Sequence, residues 1–389
     1  MYNDYDRHFE TARLGDPVGI ARLLVATPSV NPALEPDGGG EGRIAAVAAE
    51  LLQGWGFEVE TPEVAPGRPN VMARLEGSGR STLLLNGHLD TVGVAGMTVP
   101  PFAAQIKGSR LVGRGACDMK GGVAALLATA RALALEGPRP NLVVLLTADE
   151  EHASLGMAEA VRSVRADLAV VCEPTGSAVM PAHKGFVWVE AIFEGRAAHG
   201  SLPAEGIDAI RHAALFVAEL DRYAASLERR PPHPLLGCGS IHVGTIAGGT
   251  APSVYPDRCE VQLECRTLPG VGAAEVLGDL QAILDEVRTR EPTLAGSLRV
   301  TLARPGTEVS ASAPLVVSLL GACRAHGLPA KMLGMTAWVD AAFLNEVGIP
   351  AVCFGPGSIA QAHTADEWIE ISEIRSCAEV LETFSRSLG

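Results

Sequence analysis

The chain has little of what would tie it to a nucleic acid, a membrane or an oxidising compartment. Basic residues are in deficit: 31 Lys and Arg stand against 45 Asp and Glu, a net charge of -14 at pH 7. A nucleic-acid partner needs a basic face to displace counterions, so that class is excluded, and attraction to an anionic membrane surface is disfavoured with it. Long apolar runs are missing too. A membrane-spanning helix needs about 18 or more consecutive apolar residues, and the best candidate, residues 123–135, is broken by Arg131. The opening residues Met1-Tyr2-Asn3-Asp4-Tyr5-Asp6 carry acids and no apolar stretch, which predicts that there is no secretory leader.

The eight cysteines include no Cys-x-x-Cys spacing, which excludes a cysteine zinc knuckle. Most sit inside apolar segments, where a free thiol behaves as a small hydrophobe. A reducing, cytoplasmic setting is the expectation. Aromatics are scarce at 4%, whereas Gly 43 and Pro 26 point to many tight turns. With 47% hydrophobic and 20% charged residues over 389 positions, the composition is that of a globular protein. Its length allows one big domain or two ordinary ones.

Residues 70–180 alternate short apolar runs with helical stretches, the pattern of a sheet with crossover helices. Strands are predicted at 71–75, 82–86, 142–147 and 168–172, the last two wholly apolar, as strands buried on both faces are. An Ala- and Leu-rich helix is predicted over 120–135. Near residue 184 the texture changes. A half-exposed strand at 187–193, a helix at 207–227, strands at 239–246 and 259–267, a helix at 273–290 and a strand at 297–302 follow. That β-α-β-β-α-β order signals a ferredoxin-like unit. From 305 onward the first pattern resumes, with a central strand at 351–354. The expectation is an α/β catalytic domain with a mostly parallel sheet flanked by helices, residues 1–183 and 305–389, interrupted by a smaller α+β domain over 184–304.

Imidazoles and carboxylates stand at the ends of the predicted strands. Residues 83–85 run into Gly87-His88-Leu89-Asp90, residues 142–147 into Asp149-Glu150-Glu151, and residues 168–172 into Glu173. The strand at 351–354 leads to Gly355-Pro356-Gly357 and then His363, and Gly115-Ala116-Cys117-Asp118 opens the long helix. Singly, each has a plainer reading: a turn pair for His88 and Asp90, a solvated loop for Glu150-Glu151, an N-cap for Asp118, an ordinary loop histidine for His363. In an open α/β sheet, however, the carboxyl ends of the strands face a common crevice. Two imidazoles and several carboxylates gathered there are a ligand set for zinc or a similar divalent ion.

The segments Gly87-His88-Leu89-Asp90-Thr91-Val92, Gly113-Arg114-Gly115-Ala116-Cys117-Asp118-Met119-Lys120-Gly121-Gly122, Asp149-Glu150-Glu151 and Cys172-Glu173-Pro174-Thr175 resemble one family in order and spacing. It is the family of zinc hydrolases that holds acetylornithine deacetylase, succinyl-diaminopimelate desuccinylase, aminoacylase and carboxypeptidases. Residues 355–363, Gly-Pro-Gly-Ser-Ile-Ala-Gln-Ala-His, are most similar to the acetylornithine deacetylase branch. The resemblance implies a zinc-exopeptidase-like catalytic domain with an inserted lid and dimerisation domain. It implies two zinc ions per subunit, with cobalt or manganese as substitutes, and His88, Glu151, Glu173 and His363 as terminal ligands. Asp118 would bridge the ions, since a carboxylate can span metals about 3.5–4 Å apart. Asp90 would fix the tautomer of His88, and Glu150 would be the general base. A cis peptide after Asp118 is also implied.

In the inserted domain, Gly195-Arg196-Ala197-Ala198-His199-Gly200-Ser201 resembles the segment whose histidine reaches the other subunit's site and stabilises the oxyanion. Arg266, in Cys265-Arg266-Thr267-Leu268-Pro269-Gly270, matches the arginine that grips a substrate carboxylate. The implied protein is a cytoplasmic homodimer that cleaves the amide of a small N-acyl amino acid. Succinyl-diaminopimelate desuccinylase activity, or a carboxypeptidase or dipeptidase using the same site, is the alternative.

Two departures stand out. Ser253 occupies a position where many relatives carry asparagine, and Thr336-Ala337-Trp338-Val339-Asp340-Ala341-Ala342 lacks the arginine of the Thr-Asp-Ala-Arg element. The acyl or side-chain pocket is therefore expected to differ, with Trp338 a candidate for lining it and a core position its plainer reading. A nucleotide-binding reading of residues 113–122 fails. Asp118 stands where the third Rossmann glycine belongs, and Lys120 is followed by Gly121 where a P-loop needs Ser or Thr. A non-catalytic relative would have lost the base or several ligands, and all are present.

Overall fold

The computed structural model describes residues 4–135 and 137–389; residues 1–3, within the acid-bearing start, lie outside the described residues. The chain divides into two compact units. The first comprises Met1–Pro181, Val309–Leu333 and Val339–Gly389, and the second Ala182–Glu308 with Gly334–Trp338.

The first unit is built on a sheet whose centre is parallel. In spatial order its strands are Glu58–Glu60, Val71–Leu75, Asn141–Thr147, Thr82–His88, Leu168–Val171, Ala351–Cys353 and Val179–His183. The four from Asn141–Thr147 to Ala351–Cys353 are parallel, and each strand outside them pairs antiparallel with its inner neighbour. The parallel strands read as continuous apolar runs because helices cover both faces. Leu83, Leu85, Leu142, Val144 and Leu146 are fully buried or nearly so, each stabilising the fold by about 1.5–3 kcal/mol relative to exposure. Helix Gly121–Ala134 is buried on almost every side, and at Gly122 a Cβ would overlap the carbonyl oxygen of Cys172. Glycine there lets the helix close onto the strand end that leads to Glu173. Every cysteine is free, and all but Cys238 are buried. Among the described residues no helix is long and apolar enough to cross a membrane.

The second unit carries a wholly antiparallel sheet in the order Ser240–Gly248, Arg258–Thr267, Gly185–Glu194, Ala295–Arg304. Alternation along Gly185–Glu194 puts Val187, Val189, Ala191 and Phe193 into a core with Val261, Leu263 and Cys265. Helices Ala209–Arg229 and Ala273–Arg290 close that core with Phe216, Leu220, Leu280 and Leu284. Asp208 caps the first of them by accepting the Arg211 N–H at 2.9 Å. The element order is the ferredoxin-like one that the sequence pattern predicts.

Candidate metal centre

The parallel strands deliver their chemistry to one edge of the sheet. His88 closes strand Thr82–His88 and stands opposite Thr147 in register. Asp149, Glu150 and Glu151 follow strand Asn141–Thr147, Glu173 follows Leu168–Val171, and His363 lies in the loop beyond Ala351–Cys353. Asp118 sits in a π-type turn, Ala116–Lys120, ahead of helix Gly121–Ala134 and so is not that helix's N-cap. Gly115, at φ 78°, supplies the left-handed residue that opens this turn, and the Asp118–Met119 peptide is cis. Glu367 holds the turn from the other side. Its carboxylate accepts the N–H groups of Gly115, Cys117 and Asp118 at 2.9, 2.9 and 3.0 Å and pairs with Arg114 at 2.8 Å.

Asp118 presents an oxygen to each side. Its Oδ1 lies 3.1 Å from His88 Nε2 and its Oδ2 3.4 Å from His363 Nε2. His363 is also 3.0 Å from Glu151 Oε2. The result is two trios, His88–Asp118–Glu173 and Asp118–Glu151–His363, whose donor atoms in each lie within 4.8 Å of one another. Asp118 belongs to both. The first trio is buried, whereas the His363 side chain is 51% exposed, so the second faces solvent.

Asp90 holds the Nδ1 side of His88. The ring Nδ1 is 3.0 Å from the Asp90 carbonyl oxygen and 3.5 Å from its Oδ1, which leaves Nε2 turned to Asp118. The same carboxylate accepts the backbone N–H groups of Glu150 and Glu151 at 3.0 and 3.1 Å. Glu150 Oε2 stands 4.0 Å from His88 Nε2.

The electrostatics of the cluster call for cations. Burial, then the charge of Asp118, pushes the Glu173 carboxyl up to about 8. Burial likewise carries Glu150 well above the usual carboxylate range, with Glu173 and Asp340 adding to the effect against His88. Glu151 moves up as well, through burial and the Asp118 charge. Asp118 goes the other way: burial would raise it, but its hydrogen bonds to His363 and His88 hold it low. Those bonds to Asp118 and Glu151 raise His363 to about 10. For His88, burial works against the charged ring and is outweighed by Asp118 and Asp90. Two imidazoles are too little positive charge for so many buried carboxylates, and imidazole nitrogens with carboxylate oxygens are the donors that zinc and similar divalent ions take. The residues fit a metal pair.

Glu150 and the candidate ligands thus come together in the first unit, while His199 and Arg266 belong to the second. His199 is exposed in its loop, with Nδ1 2.7 Å from Ser201 Oγ and a bridge to Val254. Arg266 is paired with Glu264 at 2.5 Å and lies over the Phe186 ring at 5.6 Å. Trp338, half-buried, meets Phe186 edge-on at 6.0 Å. Sequence reasoning assigned no role to Asp340, which is buried, accepts from Thr147 Oγ1 at 3.1 Å and is pushed up to about 7 by burial. It also passed over Asn31, Glu41, Arg68 and Glu367. The nearest signals were acids beside known site segments: Glu367 follows His363 by four positions, and Asp149 precedes Glu150.

A mostly parallel sheet with such a cluster at its carboxyl edge defines a metal-dependent amidohydrolase of the metallopeptidase class. Residues 84–387 match peptidase family M20/M25/M40, and the chain belongs to that family. It is 33% identical over 315 residues to the acetylornithine deacetylase of Myxococcus xanthus, covering 78% of this chain and 80% of that one. The acetylornithine deacetylase of Erwinia tasmaniensis is 32% identical over 396 residues, 95% of this chain and 97% of its own. Among solved structures, the Bacillus subtilis YXEP protein, described as a dinuclear metal binding peptidase from the M20 family, superposes with a TM-score of 0.74 at 14% identity. That match covers 97% of this chain and 98% of the other.

Proposed function

We propose that the protein is a cytoplasmic deacylase of small N-acyl amino acids, of the acetylornithine deacetylase kind, working with two zinc ions. One observation carries the reading: two ligand trios share Asp118, and an acid outside both, Glu150, adjoins ligand Glu151. His88, Asp118 and Glu173 would hold one ion and Asp118, Glu151 and His363 the other. When bound, such ions polarise a carbonyl and acidify water to near neutrality. Glu150 takes a proton from water on Oε2 as the water oxygen adds to the amide carbon. It returns that proton to the nitrogen as the C–N bond breaks, leaving a carboxylate and a free amine. Arg266 is assigned the substrate carboxylate, which its planar fork suits.

The test is a panel of N-acetyl, N-succinyl and N-formyl amino acids and dipeptides, run on metal-stripped protein and on protein reloaded with zinc, cobalt or manganese. The expected result is metal-dependent release of acetate, with N-acetylornithine among the substrates. Turnover of dipeptides alone would replace the deacylase with a dipeptidase. With the true substrate, Arg266→Lys should raise KM by roughly 10-fold or more while kcat changes less.

The protein is further assigned to a homodimer through the inserted domain, with His199 stabilising the oxyanion in the partner's site. The resemblance of residues 195–201 supports this, as does the accessible edge strand Ser240–Gly248, most of whose residues are exposed. Mixing inactive Glu150→Gln and His199→Ala proteins under conditions of subunit exchange should restore activity. The mixed dimer then has one site with an intact base and an intact histidine. No recovery would place the histidine's action within its own subunit.

A further inference from the structure

The segment 149–151 carries the proton-handling carboxylate and a ligand carboxylate, yet it is a turn, with Asp149 in the left-handed region at φ 69°. A turn beyond a strand is ordinarily the freest part of a site. Here three consecutive N–H groups each meet an anion. The N–H of Asp149 goes to Glu41 Oε1 at 3.1 Å, and those of Glu150 and Glu151 go to the two oxygens of Asp90. Hydrogen bonds to a charged acceptor are stronger than neutral ones.

The anions are themselves tied together. Arg68 grips Glu41 with Nε and Nη2 at 2.8 and 2.6 Å and gives Nη1 to Asp149 Oδ1 at 2.8 Å. Asn31 Nδ2 donates to Asp149 Oδ1 at 3.0 Å and to Asp90 Oδ2 at 2.8 Å. The opposite end of that amide is fixed too, because Asn31 Oδ1 accepts the Ala33 N–H at 2.9 Å. Its backbone N–H donates to the Thr91 carbonyl at 2.9 Å. Asn31, Glu41, Asp90 and Asp149 are wholly buried. One amide therefore separates two carboxylates that would otherwise repel, Asp90 and Asp149, and one guanidinium joins Asp149 to Glu41, with little water to take either's place.

We propose that Asn31 and the Arg68–Glu41 pair are positioning residues for the reaction: through Asp90 and the backbone of 149–151 they hold Glu150 and Glu151 in place. The inference rests on the metal-dependent reading of the site. None of the three needs to touch substrate. Their effect is on where Glu150 and Glu151 stand, so it should be visible in metal retention and in the backbone as well as in turnover.

The experiment compares zinc-loaded wild type with Asn31→Leu, which is of similar size and removes both donations. In the wild type, amide hydrogen exchange over 149–151 should be slow for a turn. In the variant that exchange should quicken, and zinc should be lost to a competing chelator more readily. Its kcat should fall roughly 10–100-fold, with KM changed much less. Arg68→Lys, which keeps the charge, should retain more of kcat than Arg68→Met. Rapid exchange over 149–151 in the wild type would overturn the proposal, and so would an Asn31→Leu protein with wild-type kcat and wild-type zinc retention. A variant that does not fold leaves the wild-type exchange to decide. Exchange and retention need no substrate, so an inert N-acyl panel would count against the substrate reading alone.

Discussion

Glu150→Gln should lower kcat by about 10³-fold or more, within the range general acid–base groups supply, and leave both metal positions filled. The replacement is nearly isosteric and keeps the backbone N–H that Glu150 gives to Asp90. It removes the oxygen that accepts a proton. Neither ligand trio includes Glu150, so metal content by elemental analysis should match the wild type. KM should stay within a few-fold, since the lost interaction belongs to the transition state and not to substrate binding. A variant that turned over at the wild-type rate would remove Glu150 from the reaction. A variant that lost metal would make it a ligand. The two results are told apart by one metal measurement on the same preparation. Glu150's raised proton affinity, which burial produces against the pull of His88, also makes it a carboxyl able to give the proton back to a leaving amine.

The parts of the site that the sequence made legible are those in which a buried strand stops and a side chain suited to metal follows. His88, Glu151 and Glu173 are of this kind, because a run such as Leu142-Val143-Val144-Leu145-Leu146 leaves little doubt where the strand ends. The second unit was legible through periodicity: Gly185–Glu194 alternates and helix Ala209–Arg229 keeps one apolar face. The edges of the main sheet were not. Glu58–Glu60 is short, polar and largely exposed, so it carries no apolar signal. The supporting network was hidden for a different reason. Glu41 occupies the residue before helix Gly42–Gly54 and makes no side-chain cap bond there, because its carboxylate goes to Arg68 and to the Asp149 N–H. In sequence it reads as a helix-start acid. Asp90 reads as the partner of His88, and its acceptance of two backbone N–H groups depends on a fold that brings the next strand's turn beside it. Glu367 has the same character: four hydrogen bonds hold the Asp118 turn, and none of its donors is near it in the chain. Side chains that bind metal announce themselves by type, whereas side chains that bind backbone do not.

Asp118→Ala should cost both metal ions, and with them measurable activity. Asp118 is the one residue common to both trios, and its two oxygens point to different imidazoles, at 3.1 and 3.4 Å. Removing it takes a donor from each position and leaves His88 and Glu173 on one side, Glu151 and His363 on the other. Glu173→Ala makes the informative contrast, because it takes a donor from the buried trio only. Elemental analysis after dialysis should find the second variant still holding metal through Asp118, Glu151 and His363, and the first holding little. Protons provide an independent reading. Without a cation, Glu173 keeps its proton up to about 8 and His363 keeps its own up to about 10, so near pH 7 both are protonated. A divalent ion must displace those protons to bind. Calorimetric titration of the wild type with zinc in buffers of different ionisation enthalpy should therefore show proton release. Apparent affinity should strengthen as pH rises from 7 toward 10, because fewer protons then compete. In Asp118→Ala, His363 loses one of the two carboxylates that raise it, so the proton release that remains should shift to lower pH. An Asp118→Ala protein that bound two ions and released protons like the wild type would show that the trios do not share their metals through this residue.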